Sequence, residues 1–331
     1  MSQNKNYPSV ILCGYERGGT TLLSEIFRSN GYESGFECGV LMCEKPSHFI
    51  DFKPYSNMIK SGWKLEFEIN SYIPKNDSFV DFYHNILKGS GLDKKANKFF
   101  DKTPIYMRDI GKCLSRAPFI DKAIIITRDP RSIFTSWAKR AKDSEGLSLE
   151  EIINSKLPAY SSRYNRYFAG AIAERDNPKV MFVSFENLCL DPKSVYQSLG
   201  FFTEGSAFKP IVNTSRFKNV YSNEFKLDKV NEYDSYLSTK IQNKILDNCA
   251  ISALFFSSNN ERIKHLNTFF SLDKKIRDIL SKYNLDASTI DIDGQPFNPW
   301  LYLFLNRDIL NLAINPVMHY KNNGIIEKRP F

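Results

Sequence analysis

The stretch Ser9-Val10-Ile11-Leu12-Cys13-Gly14-Tyr15-Glu16-Arg17-Gly18-Gly19-Thr20-Thr21-Leu22-Leu23 decides the fold. Ser9 to Cys13 is a short, largely apolar run with β-branched members. It is bounded by Pro8 and Gly14 and predicts a buried strand. From Thr20 to Asn30 apolar residues recur at Leu22, Leu23, Ile26 and Phe27, which predicts an amphipathic helix stopped by Gly31. Between strand and helix, Gly14-x4-Gly19-x-Thr21 keeps the spacing of a phosphate-binding loop, with Thr20 where that loop carries lysine. Glycines let backbone N–H groups converge on an anion, and the helix start adds positive potential. Without the lysine that neutralises β- and γ-phosphates, nucleoside triphosphate hydrolysis is disfavoured. Arg17 supplies a cation inside the loop instead. The plainer alternative is a glycine-rich turn that holds no ligand.

Working outward, Lys98 to Phe100, Lys122 to Thr127 and Lys179 to Ser184 read as further strands. Helices are expected over Ile105 to Ser115, from Pro130 through Ala141, and from Asp191-Pro192 to near Gly200. Strands alternating with helices predict an α/β fold, a P-loop-like parallel sheet flanked by helices. After about Asn219 the character becomes helical, with helices expected over Tyr236 to Leu254 and Glu261 to Tyr283. Asp291 to Pro296 reads as a turn-rich linker and Phe297 to Phe331 as an aromatic module of two short helices. The expected division is a ligand-binding domain over 1–220, a helical extension over 221–290 and a short module over 297–331.

A second anchor is Ile124-Ile125-Ile126-Thr127-Arg128-Asp129-Pro130. Arg128 ends a central strand, where ligands of open α/β sheets collect, and Ser136 follows two turns into the next helix. A guanidinium and a hydroxyl so placed can grip one more phosphate. The competing reading is a local Arg128–Asp129 ion pair.

The 331 residues are 42% hydrophobic and 25% charged, which excludes a wholly disordered chain. The formal net charge is +8, and 61–180, with 21 basic against 15 acidic residues, holds most of the excess. It forms no basic tail or arginine-rich helix, so nucleic acid is not an expected partner and an anionic small ligand is. No apolar run approaches the roughly 20 residues of a transmembrane helix. The polar first residues do not resemble a secretory signal, and the six cysteines are scattered as reduced thiols are; a cytoplasmic location is expected. No metal-ligand pattern stands out, Cys38-x4-Cys43 with His48 being the thinnest of suggestions.

In this order the motifs resemble the sulfotransferases that use 3′-phosphoadenosine 5′-phosphosulfate (PAPS), particularly the bacterial and tyrosylprotein-sulfotransferase-like branch. The family's 5′-phosphosulfate loop reads roughly P-R-S-G-T-T-L-L. Glu16-Arg17-Gly18-Gly19-Thr20-Thr21-Leu22-Leu23 matches it, with Glu16 for proline and Gly18 for serine. Arg128 and Ser136 match the arginine and serine of the 3′-phosphate motif. Asp101-Lys102-Thr103-Pro104 resembles a K-T-P segment whose lysine helps neutralise the transferring sulfuryl group. Val183 to Leu188, Asp191-Pro192 and Leu199 to Phe202 resemble the family's Y-E-x-L … D-P … F-L-G stretch. Thr214-Ser215-Arg216-Phe217-Lys218 is similar to a late segment whose serine touches the phosphosulfate. The resemblance covers about residues 8 to 220.

It implies PAPS as co-substrate, PAP as product and no metal. The implied donor contacts are Arg17, Gly18, Gly19, Thr20, Thr21, Arg128, Ser136, Ser215 and Lys218, with Lys102 and Arg17 acting on the transferred group. The tyrosylprotein branch carries a catalytic glutamate about twenty residues after the loop arginine, which falls on Glu37; Glu33 and Glu44 are its neighbours. The tail is similar to a segment on bacterial glycosyltransferases and other glycan-processing proteins, which implies an acceptor hydroxyl on a saccharide or glycolipid. The alternatives are a non-catalytic protein that binds an adenosine bisphosphate or a glycan, and a P-loop kinase.

Overall fold

The computed structural model describes residues 7–210, 230–249, 251 and 259–331. Val10–Gly14 forms strand β1, buried at every residue, and Thr20–Ser29 forms helix α1. In chain order follow β2 (Tyr32–Glu33), α2 (Tyr55–Trp63), α3 (Phe79–Gly89), β3 (Lys98–Lys102), α4 (Ile110–Arg116) and β4 (Lys122–Thr127). Then come α5 (Pro130–Glu145), α6 (Leu149–Ala173), β5 (Val180–Ser184), α7 (Phe185–Leu190) and α8 (Pro192–Glu204). The five strands make one parallel sheet in the order β2-β3-β1-β4-β5. The α/β fold read from the sequence is the fold observed, with a helical C-terminal region.

The chain divides into two compact units, each gathered from separated stretches. The first comprises the described parts of Met1–Met107, Cys113–Arg128 and Lys179–Asn231, and contains the whole sheet. Its core follows from strand alternation. Val10 and Leu12, Phe100, and Ile124 and Ile126 share one face with Leu22, Leu23, Ile26 and Phe27 of α1 and with Leu188, Tyr196 and Leu199 beyond β5. Each aliphatic side chain so buried contributes about 1.5–3 kcal/mol. From β1 the chain runs to β2 and β3 on one side, and β4 leads to β5 on the other. The crevice between the carboxyl ends of β1 and β4 is therefore a topological switch point.

The second unit comprises Arg108–Lys112, Asp129–Pro178 and the described parts of Glu232–Phe331. Asp129 caps α5, accepting from the Arg131 amide at 2.8 Å, and Pro130 occupies the first turn. Ser148 and Glu151 form a capping box that starts α6. Further helices span Thr239–Asn248, Asn259–Lys282, Pro299–Leu305, Arg307–Leu312 and Pro316–His319. In the tail Phe297 stacks on Tyr320 at 4.6 Å between centroids, and Trp300 Nε1 donates to Asp273 at 2.7 Å.

Some elements depart from the sequence expectation. Asp291 to Pro296 is not a linker: Ile290–Ile292 (β6) and Gln295–Phe297 (β7) pair antiparallel around Asp293-Gly294, both at positive φ. That dipeptide is a strong two-residue hairpin signal, but three-residue strands are too short to show alternation. The helix expected from Ile105 opens as a 3-10 turn over Pro104–Asp109 before α4. The tail has three short helices and a π turn over Tyr320–Gly324, not two helices. α2, α3 and α6 fall where the sequence reading assigns no helix. The six cysteines are buried thiols outside any disulfide, and among the described residues no helix is long and apolar enough to cross a membrane.

Candidate active site

The loop from Gly14 to Gly19 leaves β1 at the carboxyl edge of the sheet. Gly14 lies against β4: a Cβ there would come 2.5 Å from the Ile126 carbonyl oxygen. The Gly18 amide donates to the Tyr15 carbonyl at 2.8 Å, and a Cβ on Gly18 would lie 2.7 Å from that same oxygen. Gly19, at φ 102°, caps α1 without a side chain, so the first-turn amides of Thr20, Thr21 and Leu22 have no intrahelical acceptor. The hydroxyls of Thr20 and Thr21 make no hydrogen bond to described residues, and Arg17 is exposed at the loop tip. A nest of amides, two hydroxyls and one guanidinium suits a compact anion.

Arg128 is the residue after β4. Its Nη1 donates to the Arg17 carbonyl at 3.0 Å, and its guanidinium lies 4.2 Å from the centre of the Phe185 ring. That ring in turn fits against Gly19, where a Cβ would meet its Cδ2 at 2.6 Å. Arg128, the phosphate loop and Phe185 are thus brought together at the switch point. Asp129 pairs with Arg131, whose Nη2 lies 2.7 Å from Oδ2. Ser136 stands on α5, in the second unit. Ser215 and Lys218 lie outside the described residues.

Lys102 ends β3 in register with Leu12 of β1, two residues before the phosphate loop begins. It is only 7% exposed, and its Nζ donates to Glu37 Oε1 at 2.8 Å while lying 4.7 Å from the Phe36 ring centre. Of the three glutamates weighed from the sequence, Glu37 meets Lys102. Glu33 turns to Arg28 at 3.5 Å, and Glu44 is exposed. A carboxylate and an ammonium in hydrogen-bond contact supply a proton acceptor and a positive charge in one place.

What holds Glu37 there is a cluster that sequence reasoning missed. Asp101 is fully buried. Its Oδ2 accepts from Tyr83 at 2.6 Å and from Tyr106 at 2.8 Å, and its Oδ1 accepts from Thr103 Oγ1 at 2.7 Å. Thr103 Oγ1 in turn accepts the amides of Cys38 at 3.0 Å and Gly39 at 3.2 Å, and Tyr106 accepts that of Leu41 at 3.3 Å. The segment after Glu37 is therefore tied to the end of β3 through one carboxylate. Burial pushes the Asp101 carboxyl above its ordinary value, against the three hydroxyls that favour the ionised form. The signal in the sequence was an aspartate inside a buried strand between Phe100 and Lys102. Among the described residues no group of three or more His, Cys, Asp and Glu side chains gathers to hold a metal.

A family profile described as the sulfotransferase family matches residues 8–204. No curated protein matches the sequence. Among solved structures, the sulfotransferase domain from the Synechococcus PCC 7002 olefin synthase is 15% identical with a TM-score of 0.50, covering 81% of this chain and 96% of that one. The sulfotransferase domain from the curacin biosynthetic pathway is 15% identical, at 0.47, covering 73% and 96%. Mouse sulfotransferase SULT7A1 complexed with PAP is 13% identical, at 0.44, covering 75% and 86%. At 15% identity the first of these shows a likeness of fold alone.

Proposed function

The chain belongs to the sulfotransferase family, and from that premise we propose that it transfers a sulfuryl group from PAPS to an acceptor hydroxyl on a saccharide or glycolipid. The observation that carries the reading is the contact of Glu37 with Lys102, at the strand end beside the phosphate loop. The loop amides, the Thr20 and Thr21 hydroxyls and Arg17 bind the 5′-phosphosulfate. Arg128 binds the 3′-phosphate; Ser136, Ser215 and Lys218 are added to the donor contacts from their sequence motifs alone.

Glu37 takes the proton of the acceptor hydroxyl as its oxygen bonds to sulfur. Lys102 stabilises the negative charge that grows on the bridging oxygen as the old sulfur–oxygen bond breaks and PAP leaves. The products are the sulfate ester and PAP, and the proton ends on Glu37 before passing to solvent. None of these steps asks for a metal, because in-line positioning and cationic stabilisation do the chemistry. The saccharide assignment is supported by the aromatic tail segment.

The test is direct. Adenosine 3′,5′-bisphosphate is expected to raise the melting temperature where ATP with Mg²⁺ does not, and radiolabelled PAPS is expected to label an oligosaccharide panel. A shift with ATP–Mg²⁺ alone would point to a kinase. Bisphosphate binding without labelling of any acceptor would point to a binding protein.

A further inference from the structure

Lys102 Nζ has two partners among the described residues. One is Glu37 Oε1, and the other is the ring of Phe36, whose centre lies 4.7 Å away. The Lys102 side chain is 8% exposed and that of Glu37 18%, so water does little to hold the ammonium in place. An ammonium is a compact charge with three N–H groups on a flexible stem, and one carboxylate leaves its direction loosely set. A π face within about 6 Å attracts the charge and fixes a second direction. Phe36 itself is 38% exposed. A ring so open is not held by core packing, and its position has to come from its backbone.

The end of α2 supplies that support. α2 stops at Trp63, and its last carbonyls need donors from outside the helix. The Lys60 carbonyl takes the Leu65 amide at 2.9 Å and the Ser61 carbonyl takes the Lys64 amide at 3.3 Å, with Lys64 left-handed at φ 54°. The Gly62 carbonyl takes the Phe36 amide at 2.9 Å. Glycines stand where the two segments cross. A Cβ on Gly62 would lie 2.7 Å from Phe36 Cβ, and one on Gly35 would lie 2.3 Å from the Trp63 ring. Trp63 is 1% exposed, so the end of α2 is anchored in the core. All of these residues belong to the first unit.

We propose that Phe36 is a positioning residue: its ring face holds Lys102 Nζ against Glu37, and the end of α2 holds Phe36. With one N–H given to Glu37 and one side covered by the ring, the ammonium keeps a free direction for the leaving oxygen of the donor. The proposal rests on the sulfuryl-transfer reading for its effect on turnover, and on the geometry alone for the placing of the ammonium.

Three variants test it. Phe36→Leu keeps an apolar side chain and loses the π face, Phe36→Tyr keeps the face, and Gly62→Ala alters the support without touching Lys102 or Glu37. Turnover is read with radiolabelled PAPS and the oligosaccharide panel, and PAP affinity by calorimetry. Phe36→Leu is expected to lower kcat by about three- to thirtyfold, the worth of a largely desolvated cation–π contact, with PAP affinity within about twofold. Phe36→Tyr is expected to recover most of that loss. The methyl of Gly62→Ala must open the gap to Phe36 Cβ from 2.7 Å toward the 3.4 Å of ordinary contact. A shift of that size is expected to lower kcat by about tenfold. The Lys102 Cε–Hε resonance, assigned by its loss in Lys102→Arg, is expected upfield under ring current in wild type and Phe36→Tyr, and to move downfield in Phe36→Leu and Gly62→Ala. A leucine variant as active as the tyrosine variant, or an unmoved resonance in Phe36→Leu, would overturn the proposal. A fully active Gly62→Ala with an unmoved resonance would overturn the part assigned to α2. PAP affinity that falls in step with kcat would overturn positioning and make Phe36 a donor contact. If wild type labels no member of the panel, the transfer reading falls and the resonances alone uphold or overturn the role of Phe36.

Discussion

Replacing Thr103 by valine keeps its shape and removes its hydroxyl. Thr103 is fully buried, and that hydroxyl donates to Asp101 while accepting the amides of Cys38 and Gly39. The variant leaves two amides in a dry setting without an acceptor, each costing about 1–3 kcal/mol, and removes one donor from the buried carboxyl. With some relaxation the expected loss of stability is about 3–5 kcal/mol, read from urea denaturation midpoints at constant m. The catalytic effect has a different origin. Cys38 follows Glu37 directly, so freeing its amide loosens the carboxylate that sits 2.8 Å from Lys102. A displacement of about 1 Å there can cost about a hundredfold in rate, so kcat should fall tenfold to a hundredfold while KM for PAPS stays near its original value. Thr103→Ser, which keeps the hydroxyl, should recover most of both losses. A valine variant within about 1 kcal/mol of wild type and fully active would show that this hydroxyl does not hold the loop. A serine variant as impaired as the valine would assign the effect to packing.

Glu37→Gln should keep the fold and bisphosphate affinity but lower turnover of radiolabelled PAPS by about 10²–10⁴, the usual contribution of a general base; Glu33→Gln, whose carboxylate faces Arg28, should leave kcat within about threefold, and the reverse pattern would move the base to Glu33. Arg128→Ala should weaken adenosine 3′,5′-bisphosphate by about thirtyfold more than adenosine 5′-phosphate, the worth of a charge-assisted hydrogen bond; equal weakening by calorimetry would assign Arg128 to holding the loop rather than the 3′-phosphate. The folded state holds the Asp101 proton more tightly than the unfolded chain does, so its contribution to stability is present below the ordinary carboxylate value of 3.8 and is lost as pH rises through the raised value. Denaturation across that range should show the decline in wild type and its absence in Asp101→Asn, and identical pH profiles would contradict it.

The phosphate loop was legible because it is local. A strand, a glycine spacing and the start of a helix occupy consecutive residues, and the proposed anion site is made mostly of their own backbone amides. β4 and Arg128 were legible for the same reason, since the strand is an apolar run and the cation is the residue after its end. The resemblance to the family's motifs implied PAPS as the donor and set the order of the remaining segments. α6 was not assigned, although Ser148 and Glu151 carry its capping signal; Pro158 and a polar middle interrupt the pattern, and packing within its unit overrides them. Which glutamate serves Lys102 was a matter of tertiary structure, because 65 residues separate Glu37 from it. β2, which precedes Glu37, is two residues long, too short for any periodicity to set its register. The hydroxyls around Asp101 come from α3 and the turn after β3. Spacing along a chain determines what neighbours in sequence can do together. The meeting of remote side chains depends on how strands register and helices pack, and those distances exist only once the chain is folded.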